Sequence, residues 1–415
     1  MDPFEVLAAL TTIAAIFSWL NHRYVKLPPT IGLMVLSLGF SLALVIVSKL
    51  DPAAEDPVRR MLVELDFDRT FLHGMLGAML FAGALHLNIG DLLGKRYIVG
   101  LLATTGVIVS TAIVGLASWW ILGRIGFSID LIYCLLFGAL ISPTDPIAVG
   151  AILRKVGIPK SLEIKIAGES LLNDGVGVVL FLSLLEVAGG HDVSAAGVAA
   201  LLAAEVVGGV VFGAVVGWLV YLMLKSIDSY QVEILLTLAI VTGGYALAHR
   251  LHVSGPLAMV VAGLLIGNRG RSLAMSDKTR ERLDAFWELV DEFLNAVLFV
   301  IIGAEVIVIT YTGDYFVAGL IAIPLVVFAR WISVSIPVKA LRKRQFSPHI
   351  IKILTWSGLR GGISVALALS LPAGPERTLF VAMTYVVVIF SIVVQGLTVG
   401  RFVKRFYSKT DALRG

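Results

Sequence analysis

Apolar runs of about 20 residues recur along the whole of this 415-residue chain, and each is long enough, as a helix, to cross the ~30 Å hydrocarbon core of a bilayer. Only 15% of the residues are charged and 58% are apolar, where a soluble domain carries about 25% charged residues. That predicts an all-α polytopic membrane protein rather than a globular enzyme with an anchor. Spans are read near 4–21, 30–49, 71–90, 97–122, 128–153, 165–188, 194–224, 230–249, 253–268, 284–311, 315–338, 347–371 and 377–402, about 13 transmembrane helices. With the N-terminus outside, twenty-three of the 33 Lys and Arg residues fall in loops assigned to the inside and seven in those opposite. The asymmetry predicts N-out, C-in and an odd number of spans. No basic segment or small-residue cleavage site marks the first span for removal, so it is read as retained. No sizeable soluble domain is read after the last span.

Two spans are broken. The fifth carries Ile141-Ser142-Pro143-Thr144-Asp145-Pro146, whose prolines each remove a backbone donor and crowd the preceding turn. The twelfth carries Ser357-Gly358-Leu359-Arg360-Gly361-Gly362, where glycines loosen the helix. If spans 1–6 and 8–13 are two repeats joined by the seventh, the breaks correspond, and an odd linker makes the second copy inverted. Interrupted helices at matching places in two halves point to a transporter's binding site.

Between the two breaks, in the sixth span, stands Gly168-Glu169-Ser170-Leu171-Leu172-Asn173-Asp174-Gly175. An ionisable group near a bilayer centre costs at least ~2.5–3.5 kcal/mol on insertion scales, so such groups serve an ion or proton path. Ser170 and Asp174 are four apart, as are Glu169 and Asn173, which lines all four along one helix face. Hard cations take oxygen ligands, and Asp174, Ser170, Asn173 and Thr144 supply carboxylate, hydroxyl, amide and backbone oxygens. Asp174 also accepts a proton, and one carboxylate that holds either a proton or a cation is the minimal device for exchange. Asp145 stands where positive half-helix ends meet it. Arg360 either balances the negative ends or pairs with a carboxylate.

Three segments, Ser-Pro-Thr-Asp-Pro-Ile-Ala-Val (142–149), Gly-Glu-Ser-Leu-Leu-Asn-Asp-Gly (168–175) and Gly-Leu-Arg-Gly-Gly-Ile-Ser (358–364), resemble the signature segments of the cation/proton antiporter family that includes NhaP proteins and eukaryotic sodium/proton exchangers. Their order and the span layout match over essentially the whole chain. The resemblance implies that Asp174 carries cation and proton in turn, with Ser170 and the backbone at Thr144 helping to coordinate the ion. It implies that Glu169 pairs with Arg360 and that Asp145 compensates the crossing half-helices. Asn173, in an Asn-Asp pair, implies electroneutral exchange of one cation per proton. The fold it implies is a homodimer in lipid. Residues 1–96 and 193–311 would form the dimerisation scaffold and linker, and residues 97–192 and 312–415 a core that shifts like an elevator. Na⁺ is the expected cargo with Li⁺ tolerated, in a cell membrane, with no cofactor and no nucleic acid; K⁺/H⁺ exchange is the alternative. The chain departs from the animal exchangers in lacking a long cytoplasmic tail.

Other residues read more blandly. Gly209, Gly213 and Gly217 have the small-xxx-small spacing for close packing, read as a contact within the chain before a dimer seam. Glu305 and Arg330 are structural or border the ion route. Asp284, Glu288, Asp291 and Glu292 form an inner funnel that attracts cations or a solvated interfacial face. His73, His86, His249 and His252 read as interfacial, Cys134 as a buried packing residue, and the acidic 51–68 stretch as an outer loop. Asn88 and Glu233 receive no role. An aspartyl dyad of Asp145 and Asp174 would make a hydrolase, but no His-Glu-x-x-His or Gly-x-Ser-x-Gly motif is present, and it leaves Glu169, Arg360 and the paired breaks unused. A cation channel or transport-dead sensor lacks proton-coupled flux and is separated by that measurement.

Overall fold

The computed structural model describes residues 3–48, 74–145, 149–150, 160–189, 195–270, 275–305, 313–341 and 349–406. Within them the chain runs through α1 (Pro3–Leu20), α2 (Pro29–Ser48), α3 (Leu76–Leu85), α4 (Ile89–Gly94), α5 (Arg96–Ala103), α6 (Thr105–Ile125), α7 (Leu131–Ile141), α8 (Lys160–Ala188) and α9 (Ala195–Lys225). It continues through α10 (Tyr230–Ala239), α11 (Tyr245–Arg250), α12 (Gly255–Leu265), α13 (Asp277–Glu305), α14 (Gly313–Ala340), α15 (Ile350–Trp356), α16 (Gly362–Leu369), α17 (Pro375–Phe390) and α18 (Gly396–Phe406). Turns of π-helix at Ile240–Gly244 and Ser391–Gln395 widen the helix without ending it, so α10 continues into α11 and α17 into α18.

Eight stretches of the described residues are long and apolar enough to cross a membrane, from Phe4–Val25 to Pro375–Phe406. They fall on the first, second, fourth, sixth, seventh, eighth, eleventh and thirteenth spans of the sequence reading. The other readings fall on shorter, interrupted or charged helices: α3, α7, α12, α13 and the pair α15 and α16. One boundary differs clearly. α13 begins at Asp277, well before the expected 284, because Ser276 caps it: its Oγ accepts from Thr279 N–H and donates to Asp228 at 2.9 Å. The acidic run Asp284–Glu292 is therefore the surface of a continuing helix.

The distribution of side chains is that of a protein solvated by lipid. Trp19, Trp120, Val211 and Leu235 are exposed on the outside, whereas Glu169, Asn173, Asp174, Arg330 and Arg360 are buried. Every backbone group in hydrocarbon must be satisfied internally, which is why the elements are helices. α6 packs on α7 and α14, α8 on α5 and α7, and α17 on α14 and α16. Elsewhere α12 packs on α3 and α9, and α13 on α2, α3 and α10. Between these groups α8 touches α9 and α12, and α13 touches α16. The glycine stripe of α9 lies in its seam with α12: a Cβ at Gly209 would press on Ser254, the N-cap of α12, and one at Gly213 or Gly217 on Ala258 or Ala262 within it. The stripe is a contact within the chain, as its spacing suggested.

Candidate functional site

Two helices stop in the middle of the molecule. α7 ends at Ile141, just before Pro143, and α15 gives way at Ser357 to a non-helical stretch that resumes as α16 at Gly362. The gaps cross, and the backbone N–H of Asp145 donates to the Leu359 carbonyl at 2.8 Å. Pro146, the second proline of the expected break, lies outside the described residues.

Each gap lends its charge to the other helix. Arg360 Nη1 donates to the carbonyls of Ser142 and of Pro143, the latter at 2.8 Å, at the end of α7 where the helix leaves acceptors unfilled. In return, the Asp145 carboxylate rests against Gly361, the N-cap of α16, where a helix presents its positive end. Gly361 is needed there because a Cβ would collide with that carboxylate. Ser391 on the π-turn steadies the gap by accepting from Arg360 N–H at 2.8 Å and donating to Gln395 Oε1 at 2.8 Å.

α8 runs unbroken past this crossing and presents Glu169, Ser170, Asn173 and Asp174 to it, each no more than 3% exposed. Thr144 is the hub. Its hydroxyl lies 2.9 Å from Ser170 Oγ and accepts from Asn173 Nδ2 at 2.9 Å, while its N–H donates to Asn173 Oδ1 at 3.2 Å. Asn173 Nδ2 also donates to Glu169 Oε1 at 3.2 Å. The amide orientation is set by this network, since its nitrogen meets acceptors and its oxygen meets a donor. Among the described residues no hydrogen bond reaches the Asp174 carboxylate.

The expected Glu169–Arg360 pair is not formed. Glu169 is held instead by Arg330 of α14, through Nη1 to Oε1 at 2.5 Å and Nη2 to Oε2 at 2.8 Å. The reason is competition for donors. Arg360 is drawn to the carbonyls released by the broken α7, leaving Glu169 to the arginine that approaches as a fork. Gly358 makes room, since a Cβ there would strike Arg330 Nε. Two intramembrane arginines and one free glutamate were visible in the sequence, but spacing does not say which pair meets.

A cavity of about 50 Å³ lies beside the crossing. Leu76, Met79, Leu80, Leu171 and Leu298 form much of its wall; its polar side chains are Thr144, Asp145, Asp174, Asn295 and Ser364. Of the four expected ligands, Asp174 and Thr144 line it, whereas Ser170 and Asn173 stand behind Thr144 and hold it. Asn295 and Ser364 were not singled out from sequence, where a lone amide or hydroxyl in an apolar helix carries no signal. Asn295 is oriented by Asp291, its Nδ2 donating to the Asp291 carbonyl at 2.7 Å and to Oδ1 at 3.1 Å. Asp291 is thus half-buried near the cavity, while Glu288 and Glu292 are exposed.

The blander readings find their places. Cys134 is buried in apolar packing. Asn88 caps α4 by accepting from Asp91 N–H at 3.1 Å. His86, His249 and His252 are exposed. Glu233 is fully buried. His73, the 51–68 stretch and the Glu305 side chain lie outside the described residues.

Residues 9–405 match the family model described as the transmembrane part of sodium/hydrogen exchangers. The chain is 47% identical over 413 residues to the Na⁺/H⁺ antiporter NhaP of Pseudomonas aeruginosa, covering 97% of each. It is 31% identical over 392 residues to the Na⁺/H⁺ antiporter NhaH of Halobacillus dabanensis, covering 92% of this chain and 93% of that one. Its fold is similar to that of the sodium proton antiporter MjNhaP1 from Methanocaldococcus jannaschii at pH 8, with a TM-score of 0.80 at 19% identity over 98% of this chain and 99% of the other.

Proposed function

This chain belongs to the sodium/hydrogen exchanger family and is an integral membrane protein of the cation/proton antiport class; we propose that it exchanges Na⁺, or Li⁺, for H⁺ one for one, with Asp174 holding cation and proton in turn. The observation that carries this reading is the Asp174 carboxylate, buried on the wall of a small cavity with no hydrogen-bond donor among the described residues. A buried charge left without a partner is very costly, so the site rests only when it holds a proton or a cation, and each expels the other.

Counting charges around it supports a neutral cycle. Glu169 is matched by Arg330, and Asp145 and Arg360 serve opposite ends of the crossed helices. Of the carboxylates on the cavity wall, Asp174 is left as one negative charge for one positive cargo, so the loaded wall carries the same charge with either. Thr144 and Asp174 are the first oxygens of the cation's shell. Ser170 and Asn173 position Thr144, and Glu169, Arg330, Arg360 and Asp145 keep the crossing in place.

The wider architecture is proposed on the same footing: thirteen spans, N-terminus outside, built as two inverted six-span repeats. Residues 97–192 and 312–415 form the moving core; residues 1–96 and 193–311 form the scaffold and linker of a homodimer in a cell membrane. Supporting this, the helices of each group pack chiefly on one another, and the cavity lies where α8 and α16 face α3 and α13.

The test is purified protein in liposomes with an imposed pH gradient, given Na⁺, Li⁺ or K⁺ with the membrane potential clamped or free. Collapse of the gradient by Na⁺, indifferent to potential and absent in Asp174→Asn, is expected. Collapse by K⁺ alone would change the cargo, a potential-dependent response would overturn the one-for-one count, and no response to any cation would overturn exchange itself.

A further inference from the structure

We propose that the hydroxyl of Ser364 is a ligand of the transported cation, contributed by α16 to the cavity that Asp174 and Thr144 line. The inference rests on the exchange reading above and adds a residue that selects among cations.

Ser364 is 1% exposed, and among the described residues its Oγ has no hydrogen-bond partner. Buried hydroxyls elsewhere in this chain bond the carbonyl four residues back: Thr384 to Phe380 at 2.6 Å, Thr355 to Ile351 at 2.7 Å and Ser142 to Gly138 at 2.7 Å. For Ser364 that carbonyl belongs to Arg360, which lies in the gap before α16 and has no helical geometry to offer it. The break that creates the cation site therefore also frees this hydroxyl. Ser41, Ser118 and Ser183 share the lack of a partner, but none of them lines the cavity.

The cavity makes the leftover group useful. At about 50 Å³ it exceeds the ~10–15 Å³ that one water needs, so a cation enters it with only part of its hydration shell. Oxygens must replace the lost waters, and most of the wall is hydrocarbon. Beyond Thr144, Asp145 and Asp174, the polar side chains on that wall are Asn295 and Ser364. Asn295 has its amide nitrogen committed to Asp291, which keeps its Oδ1 as a further oxygen for the cation, and Ser364 is the hydroxyl on that wall without an engagement among the described residues. A hydroxyl that no described protein group engages is free to turn its lone pairs to a cation in the cavity. Its fixed place also sets how well cations of different radius fit.

The experiment compares wild type, Ser364→Ala, Ser364→Thr and Ser364→Cys in the same liposome assay, with melting of the purified proteins as the folding control. Loss of the hydroxyl in Ser364→Ala is expected to raise the half-saturating Na⁺ concentration roughly tenfold, the effect of one hydrogen-bond-strength contact to a charge. It is also expected to change the Li⁺ to Na⁺ preference. Ser364→Thr restores both. Ser364→Cys keeps the shape but replaces a hard oxygen by a soft sulfur, so its preference shifts from Na⁺ towards the soft cation Tl⁺. A structural role would produce no such shift. If wild type exchanges cations and all three variants share its half-saturation and preference, the Ser364 assignment is overturned. If wild type exchanges none, it is the exchange reading that fails. Should Ser364→Ala fail to fold, the Thr and Cys variants decide by the same criteria.

Discussion

Arg330 and Glu169 meet fork to fork, two guanidinium nitrogens on two carboxylate oxygens, although 161 positions separate them in the chain. The pair binds α14 to α8 directly behind the carboxylate that we assign to transport. Its side chains are 6% and 1% exposed, so neither charge is relieved by water. Removing one partner of a buried pair leaves the other uncompensated and costs on the order of 3–5 kcal/mol. Arg330→Leu and Glu169→Gln are each expected to lower the melting temperature of the detergent-solubilised protein sharply. The double variant should recover much of the loss, because neither charge is then stranded. Additive losses in the double variant would show that the two residues do not act as a pair.

Asp174→Asn removes a buried charge that no described donor satisfies, so it should fold at least as well as wild type. Wild type should gain apparent stability as Na⁺ is added, by about 2.7 kcal/mol at a hundredfold excess over the dissociation constant. The variant should gain none. Thermal melts across a Na⁺ series, with choline as the control cation, read this directly; an equal Na⁺-dependent shift in both proteins would place the cation elsewhere.

A single group shared by cation and proton also fixes a pH dependence. Protons compete with the cation, so the half-saturating Na⁺ concentration should rise as pH falls, with a limiting slope of about tenfold per pH unit. The maximal binding signal should not change. Na⁺ titrations at several pH values check it, and two independent sites would instead show no such coupling.

Thr144→Val keeps the shape of the hub and deletes its hydroxyl. The variant loses both the 2.9 Å contact with Ser170 and the 2.9 Å bond from Asn173. Because Thr144 lines the cavity while Ser170 stands behind it, Thr144→Val should raise half-saturating Na⁺ more than Ser170→Ala does. The reverse order would make Ser170 the direct ligand.

Gly361→Ala adds one methyl group where the Asp145 carboxylate already sits. Crowding of this kind costs ~1–3 kcal/mol, and here it also pushes the compensating charge off the end of α16. Reduced exchange and a lower melting temperature are expected. Gly39→Ala, with nothing within 4 Å of the new carbon, is the matched control and should be silent.

Local features were legible in the sequence. Pro143 and the glycines around Arg360 announced where helices must stop, and the four-residue spacing put Glu169, Ser170, Asn173 and Asp174 on one face. The glycine spacing of α9 announced a tight seam. What the sequence did not carry was choice among distant partners. Arg330 and Arg360 were both available to Glu169, and the selection came from the carbonyls that a broken α7 leaves open, which exist only once the two gaps cross. Ser364 and Asn295 were invisible for a related reason: their meaning lies in which wall they occupy, and that wall is assembled from several helices. The start of α13 was misplaced because a charged face reads as a loop until Ser276 and Asp228 are seen to cap it.

The reciprocal crossing of α7 and α16 also bears on how such a chain is made. Asp145 leaves the ribosome some two hundred residues before Arg360 does, and until the later segment arrives the Ser142 and Pro143 carbonyls lack the guanidinium that fills them in the finished fold. On this geometry the crossing closes only when both distant segments are present, and a truncated chain ending before residue 360 would lack it.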